Sequence, residues 1–131
     1  MSQQLKIVLI DDDQGVLRAL GLVLQTLGHQ AALFATGPEA LSYIGTNSNV
    51  DLVVTDLRMP GMDGSEVLKH LHMNYPSIPV AIMSGHASQN DRATLLALGA
   101  RAVISKPFSP SELLALFDTE QQALTGKPKV A

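Results

Sequence analysis

The chain has 131 residues, the size of one common domain, large enough to bury a core without metal or disulfide staples. It has no cysteine, which excludes thiol catalysis, disulfides and cysteine-ligated zinc, and its net charge of -3 gives no electrostatic footprint for direct nucleic-acid binding. Its apolar residues fall in short runs far below a membrane span, and residues 1–6 lack the apolar stretch of a signal peptide, so a cytoplasmic protein with no membrane partner is expected.

In chain order, one strand-then-helix unit recurs about five times. Apolar runs at Ile7–Ile10, Ala31–Phe34, Leu52–Val54, Val80–Met83 and Ala102–Ile104 read as the strands of a parallel sheet, Leu52 to Thr55 as a buried one. The first helix is expected from Gln14, with Asp13 as N-cap. It should bury Val16, Leu17, Leu20, Leu24 and Leu27 and stop at Gly28, with Gly21 costing about 1 kcal/mol of helix propensity. Thr36 to Glu39 has the spacing of a capping box for a short second helix that closes at Gly45 and buries Ala40, Leu41 and Ile44. Asp63 and Glu66 repeat that spacing, opening a third helix from Gly64 to Asn74 with Val67, Leu68 and Leu71 inward; it must end before Pro76. The fourth helix is expected over about Gln89 to Leu98, with Ala93, Leu96 and Ala97 inward and Gly99 as its stop. The fifth opens at Ser109 with Pro110 and Glu112 in its first turn, and carries Leu113, Leu114 and Phe117. The domain should therefore span residues 5–121, with 122–131 as tail or start of a linker.

In an open parallel sheet, reactive groups gather outside the carboxyl ends of the strands, where strand order reverses. Here the first strand ends in Asp11, Asp12 and Asp13, the third in Asp56, the fourth in Ser84, and the fifth in Ser105, Lys106 and Pro107. Carboxylates converging to about 4 Å repel by about 4 kcal/mol per pair at an effective dielectric near 20, so the cluster requires cations. Lys106 supplies one. An all-oxygen site with no histidine or cysteine ligand favours a hard divalent ion, and Mg2+ suits one that handles phosphate. A carboxylate beside Mg2+, a lysine and a hydroxyl is equipped to attack phosphorus and hold an acyl phosphate, which makes Asp56 the candidate nucleophile. Asp13, directly before the first helix, is expected to cap rather than to bind metal.

Four motifs stand in this order: Val8 to Asp12, Asp56 before the Met59 to Gly64 loop, Ser84 after Met83, and Lys106-Pro107-Phe108. Together the set resembles the response-regulator receiver domain of two-component signalling, over about residues 5–121. The resemblance implies an α/β fold, a single doubly wound five-stranded parallel sheet in order 2-1-3-4-5, flavodoxin-like. It implies a phosphorylation-dependent switch that accepts a phosphoryl group onto Asp56 from a sensor histidine kinase or phosphotransfer protein and relays it by conformational change. Such a chain is a regulatory phosphoacceptor that catalyses its own phosphorylation and dephosphorylation. Residue by residue, Asp12 would ligate Mg2+ directly, Asp11 through water, and the backbone carbonyl of Arg58 would complete the protein ligands with Asp56. Ser84 would bond the phosphoryl oxygen, and Lys106 would pair with Asp56 and then with the phosphate. The Lys106-Pro107 bond resembles the family's cis peptide. An output domain or downstream protein, or a second copy in an activated homodimer, would meet the fourth helix, fifth strand and fifth helix. In one place the sequence departs from the family pattern: Val103 stands where receivers usually carry Tyr or Phe.

A rival reading is a haloacid-dehalogenase-like phosphatase with Asp11 as nucleophile and Asp13 as acid/base, but it leaves Asp56 and its loop unexplained. A flavodoxin-like flavin carrier is a weaker match still, because the turn after the first strand is acidic where a flavin phosphate needs backbone amides. His29, His70 and His72 read as exposed helix or loop residues, while His86 lies where receivers look out over the phosphorylation site. Met59 and Met62 read as loop packing.

Overall fold

In a computed structural model, residues 4–47, 49–85, 87–106 and 115 are described. Five parallel strands, β1 (Lys6–Ile10), β2 (Gln30–Phe34), β3 (Leu52–Asp56), β4 (Val80–Ser84) and β5 (Ala102–Ser105), form one sheet in the order β2-β1-β3-β4-β5. The helices described between them are α1 (Gln14–Thr26), α2 (Gly37–Thr46), α3 (Gly64–Asn74) and α4 (Gln89–Ala97). The fifth helix, the Lys106-Pro107 peptide, His86 and the tail lie outside the described residues, apart from Ala115, which is helical.

The pleat divides each apolar strand between two cores. Ile7 and Leu9 of β1 join Leu52, Val54, Ala81 and Met83 under Leu17, Leu20 and Leu24 of α1. Val8 and Ile10 join Val53, Val80 and Ile82 under Ala40, Ile44, Val67, Leu68, Leu71 and Leu95 of the helices on the opposite face. That two-sided burial is why β1, β3 and β4 are apolar without alternation. Each full burial of a Leu or Ile is worth about 1.5–3 kcal/mol, so the two clusters carry the fold.

The helix starts follow their local chemistry. The Asp13 carboxylate accepts from the amides of Gly15 and Val16 at the head of α1, and Asp63 and Glu66 close a complete capping box on α3, which ends at Asn74 as expected. At α2 the Thr36 hydroxyl accepts from the Glu39 amide, but the Glu39 carboxylate accepts a hydrogen bond from that hydroxyl instead of reaching back to the backbone. α2 also runs one residue beyond Gly45, to Thr46, because nothing there demands a left-handed residue. Gly28 and Gly99, by contrast, sit at φ +88° and +112° and stop α1 and α4. The helix cost of Gly21 is offset by a close crossing: a methyl there would lie 3.3 Å from the Leu33 side chain of β2.

Three expectations are corrected. Val16 and Leu27, at the margins of the α1 stripe, and Leu41 on α2 are only partly buried. On α4 the buried residue is Leu95, while Ala93, Leu96 and Ala97 face solvent. The run from Leu95 to Leu98 is apolar on every side, so periodicity could not set its phase; in the structure Leu95 packs into the core while Arg92 reaches β5. His29 is buried rather than exposed, and its Nδ1 accepts the Leu5 amide at 3.0 Å.

Candidate phosphorylation site

The parallel register brings the carboxyl ends of β1, β3 and β4 to one pole of the sheet. Ile10 pairs with Thr55 across β1 and β3, so Asp11 follows beside Asp56, the last residue of β3. Asp56 pairs with Met83, which places Ser84, buried at the end of β4, one residue beyond it. Ser84 in turn pairs with Ser105, the residue before Lys106, and the Lys106 amide donates to the Ser84 carbonyl at 2.7 Å. Residues nearly a hundred positions apart are thus aligned by backbone ladders alone.

Carboxylate oxygens of Asp11, Asp12 and Asp56 lie within 4.8 Å of one another, a grouping able to hold a metal ion. Asp11 is fully buried, Asp56 nearly so, and Asp12 is exposed, so the cluster is dry at its base and open to solvent at its rim. Asp11 is also fixed locally, its Oδ1 accepting the Asp13 amide at 2.9 Å. The Lys106 ammonium stands 2.8 Å from Asp11 Oδ2 and 3.3 Å from Asp56 Oδ1. Its tighter partner is therefore Asp11, which sequence reading did not assign to it.

Three carboxylates against one lysine leave an excess of negative charge, and Asp56 and Lys106 respond to it. Burial pushes the Asp56 carboxyl above its ordinary pKa, as do the charges of Asp11 and Asp12, with Lys106 opposing them. Burial works against the Lys106 ammonium, but the hydrogen bond and charge of Asp11, with Asp56 behind them, outweigh it and hold Lys106 above its ordinary value. Asp56 is thus a poorly solvated carboxylate that gains from a cation at its rim.

The loop after β3 folds back under the site. Gly64 donates its amide to the Leu57 carbonyl at 2.8 Å, and a methyl on Gly64 would lie only 2.4 Å from the Asp56 carbonyl oxygen. Beyond it Arg58 lines a groove of about 270 Å3 between α3 and α4, with Asp63, Lys69 and Asp91. Asp63 is occupied with helix capping: burial works against its charge, but the Ser65 hydroxyl and the Glu66 and Ser65 amides outweigh that and lower its pKa.

An acidic cluster paired with a lysine, at the carboxyl pole of a 2-1-3-4-5 parallel sheet, defines a receiver module of two-component signalling. The sequence pattern of the response regulator receiver domain matches residues 7–118, and the chain belongs to that family. It is similar to the DNA-binding transcriptional regulator NtrC of Klebsiella pneumoniae, with 34% identity over 84% of this chain and 23% of that protein. It is also similar to the sensory transduction protein RegX3 of Mycolicibacterium smegmatis, with 33% identity over 83% of this chain and 47% of that one. The chain thus spans a quarter to a half of the length of these relatives. Among solved structures, a CheY-like receiver domain protein from Methanospirillum hungatei JF-1 superposes with a TM-score of 0.87, at 28% identity over 95% of this chain and 98% of that one. Chemotaxis protein CheY4 of Vibrio cholerae gives 0.83, at 27% identity over 89% and 98%.

The phosphatase alternative has no support. Its acid/base, Asp13, spends its carboxylate on two α1 amides, and its nucleophile, Asp11, is buried and bonded to Lys106. Among the described residues, no helix is long and apolar enough to cross a membrane.

Proposed function

We propose that Asp56 is the phosphoacceptor of a signalling switch, charged by a phosphohistidine on a sensor kinase or phosphotransfer protein. The observation that carries this reading is the convergence of Asp11, Asp12 and Asp56 within 4.8 Å, with Lys106 bridging two of them. A carboxylate oxygen of Asp56 attacks phosphorus, the P–N bond breaks with its electron pair staying on the imidazole nitrogen, and that nitrogen takes a proton from solvent so that the ring leaves neutral. Lys106 balances charge on Asp56 before transfer and on the phosphoryl oxygens after it, and the Ser84 hydroxyl donates to one of those oxygens. Asp11, Asp12, Asp56 and the Arg58 carbonyl would hold Mg2+, the hard ion that an all-oxygen, carboxylate-rich set selects. Bound there, Mg2+ supplies neutralisation of the charge that develops on the phosphoryl group.

The domain reading, 5–121 with a tail from 122, belongs to the same proposal, as does a cytoplasmic setting. The relative named as a DNA-binding transcriptional regulator is longer than this chain, which suits an output domain meeting α4, β5 and the fifth helix; a downstream protein on that face is the other form of the same reading. An activated homodimer through the same face is part of the proposal as well. The test is incorporation of a phosphoryl group in the presence of Mg2+, with borohydride reduction of the acyl phosphate and mass spectrometry to locate it. Label on Asp56, lost in Asp56→Asn, is expected; undiminished incorporation in Asp56→Asn refutes the assignment.

A further inference from the structure

Arg92 belongs to α4, but its guanidinium bonds to the sheet. One Nη donates to the Val103 carbonyl at 2.7 Å and the other to the Ser105 hydroxyl at 2.6 Å. Both acceptors lie on β5, an edge strand of four residues that ladders only to β4. Ser105 ends that strand and Lys106 follows it directly.

The ammonium of Lys106 must be held over Asp11 and Asp56, and among the described residues its backbone is anchored to the sheet from the β4 side, through the Ser84 carbonyl. From the helix side Arg92 grips the side chain of Ser105, next to Lys106, and the backbone of Val103 further back along β5. A guanidinium suits the task because its donors form a rigid planar fork that spans two acceptors at once and stays charged at every physiological pH. Its base is firm as well. α4 is fixed at its head by a capping box between Ser88 and Asp91, next to Arg92, and by the buried Leu95 one turn on.

We infer that Arg92 is a positioning residue for phosphoryl transfer, acting through Ser105 to hold the end of β5 and so the placement of Lys106 between Asp11 and Asp56. The inference rests on the reading of Asp56 as phosphoacceptor. A misplacement of about 1 Å at a reacting group can cost about a hundredfold in rate. Lys106 keeps its ladder bond when Arg92 is lost, so a smaller loss follows, about three- to tenfold.

The test uses the full chain with Mg2+ and phosphoramidate as donor, so that no kinase contact enters. Arg92→Met should lower the maximal phosphorylation rate about three- to tenfold, with half-saturating concentrations of phosphoramidate and Mg2+ unchanged. Arg92→Lys, which keeps one donor, should recover part of the rate. Ser105→Ala should lose part of it, and Arg92→Met with Ser105→Ala should be no slower than Arg92→Met alone, because the two residues act as one contact. Thermal melting of each variant records the fold, and rate losses that merely track melting temperature overturn the inference. Wild-type rates in Arg92→Met, or additive losses in the double variant, overturn it as well. Absence of phosphorylation in the wild-type chain is a separate result: it refutes the reading of Asp56 and takes this inference with it.

Discussion

Lys106 donates to Asp11 at 2.8 Å and stands 3.3 Å from Asp56, so the lysine's shorter bond goes to the buried carboxylate and not to the candidate acceptor. Before phosphorylation, Lys106 is therefore first the counter-ion that makes a fully buried Asp11 tolerable.

Replacing Lys106 by Met should destabilise the fold by about 1–3 kcal/mol, below the 3–5 typical of breaking a buried pair because the lysine is partly exposed. Mg2+ should restore more stability to Lys106→Met than to the wild type, since a second cation can take over the charge. Urea unfolding with and without Mg2+ measures both effects. Equal stability of the two proteins without Mg2+ would remove Asp11 as the lysine's structural partner.

Asp12 is the exposed member of the carboxylate group and has no capping duty comparable with that of Asp13. In Asp12→Ala, Mg2+ affinity should fall by at least about tenfold, and the metal-free protein should melt at the same temperature or higher because one repulsive charge is gone. Calorimetric titration beside thermal melting reads the two halves independently. An unchanged affinity would place the ion elsewhere.

Gly64 is demanded by proximity, because a methyl there would lie 2.4 Å from the Asp56 carbonyl and 2.9 Å from the Leu57 Cα, both rigid backbone. Gly64→Ala should cost about 2–4 kcal/mol, at the upper end of single substitutions, and shift the amide signals around Asp56. A denaturation midpoint within error of wild type would show that α3 can withdraw from β3 without penalty.

Burial lowers the pKa of His29, and its Nδ1 accepts the Leu5 amide, so the folded state holds the imidazole neutral. Between the depressed folded value and the ordinary unfolded one, the unfolded chain binds more protons, and stability falls as pH falls through that window. The contribution is fully present above the unfolded pKa of about 6.5 and is progressively lost below it. Unfolding free energies measured from about pH 7.5 to 5 should decline more steeply for the wild type than for His29→Gln, which keeps an acceptor but does not titrate. Parallel curves would exclude His29 as the titrating group.

Much of this molecule is legible in the chain because it depends on near neighbours. The apolar runs from Ile7 to Ile10 and from Leu52 to Val54 announce buried parallel strands by composition alone. Asp13, Asp63 with Glu66, Gly28 and Gly99 mark helix ends through bonds and dihedral angles that span at most a few residues. The candidate site residues Asp11, Asp12, Asp56, Ser84 and Lys106 could be gathered on paper because every parallel strand delivers its carboxyl end to the same pole. What only the tertiary structure decided is how groups distant in sequence share that pole. The preference of Lys106 for Asp11 depends on where a flexible side chain finds the driest opposite charge, which no local pattern encodes. The burial of His29 depends on the Leu5 amide that meets it from another segment. The face α4 turns inward is ambiguous in a run of Leu95, Leu96, Ala97 and Leu98, and is settled only by tertiary packing, in which Leu95 enters the core while Arg92 reaches β5, contacts that periodicity does not contain.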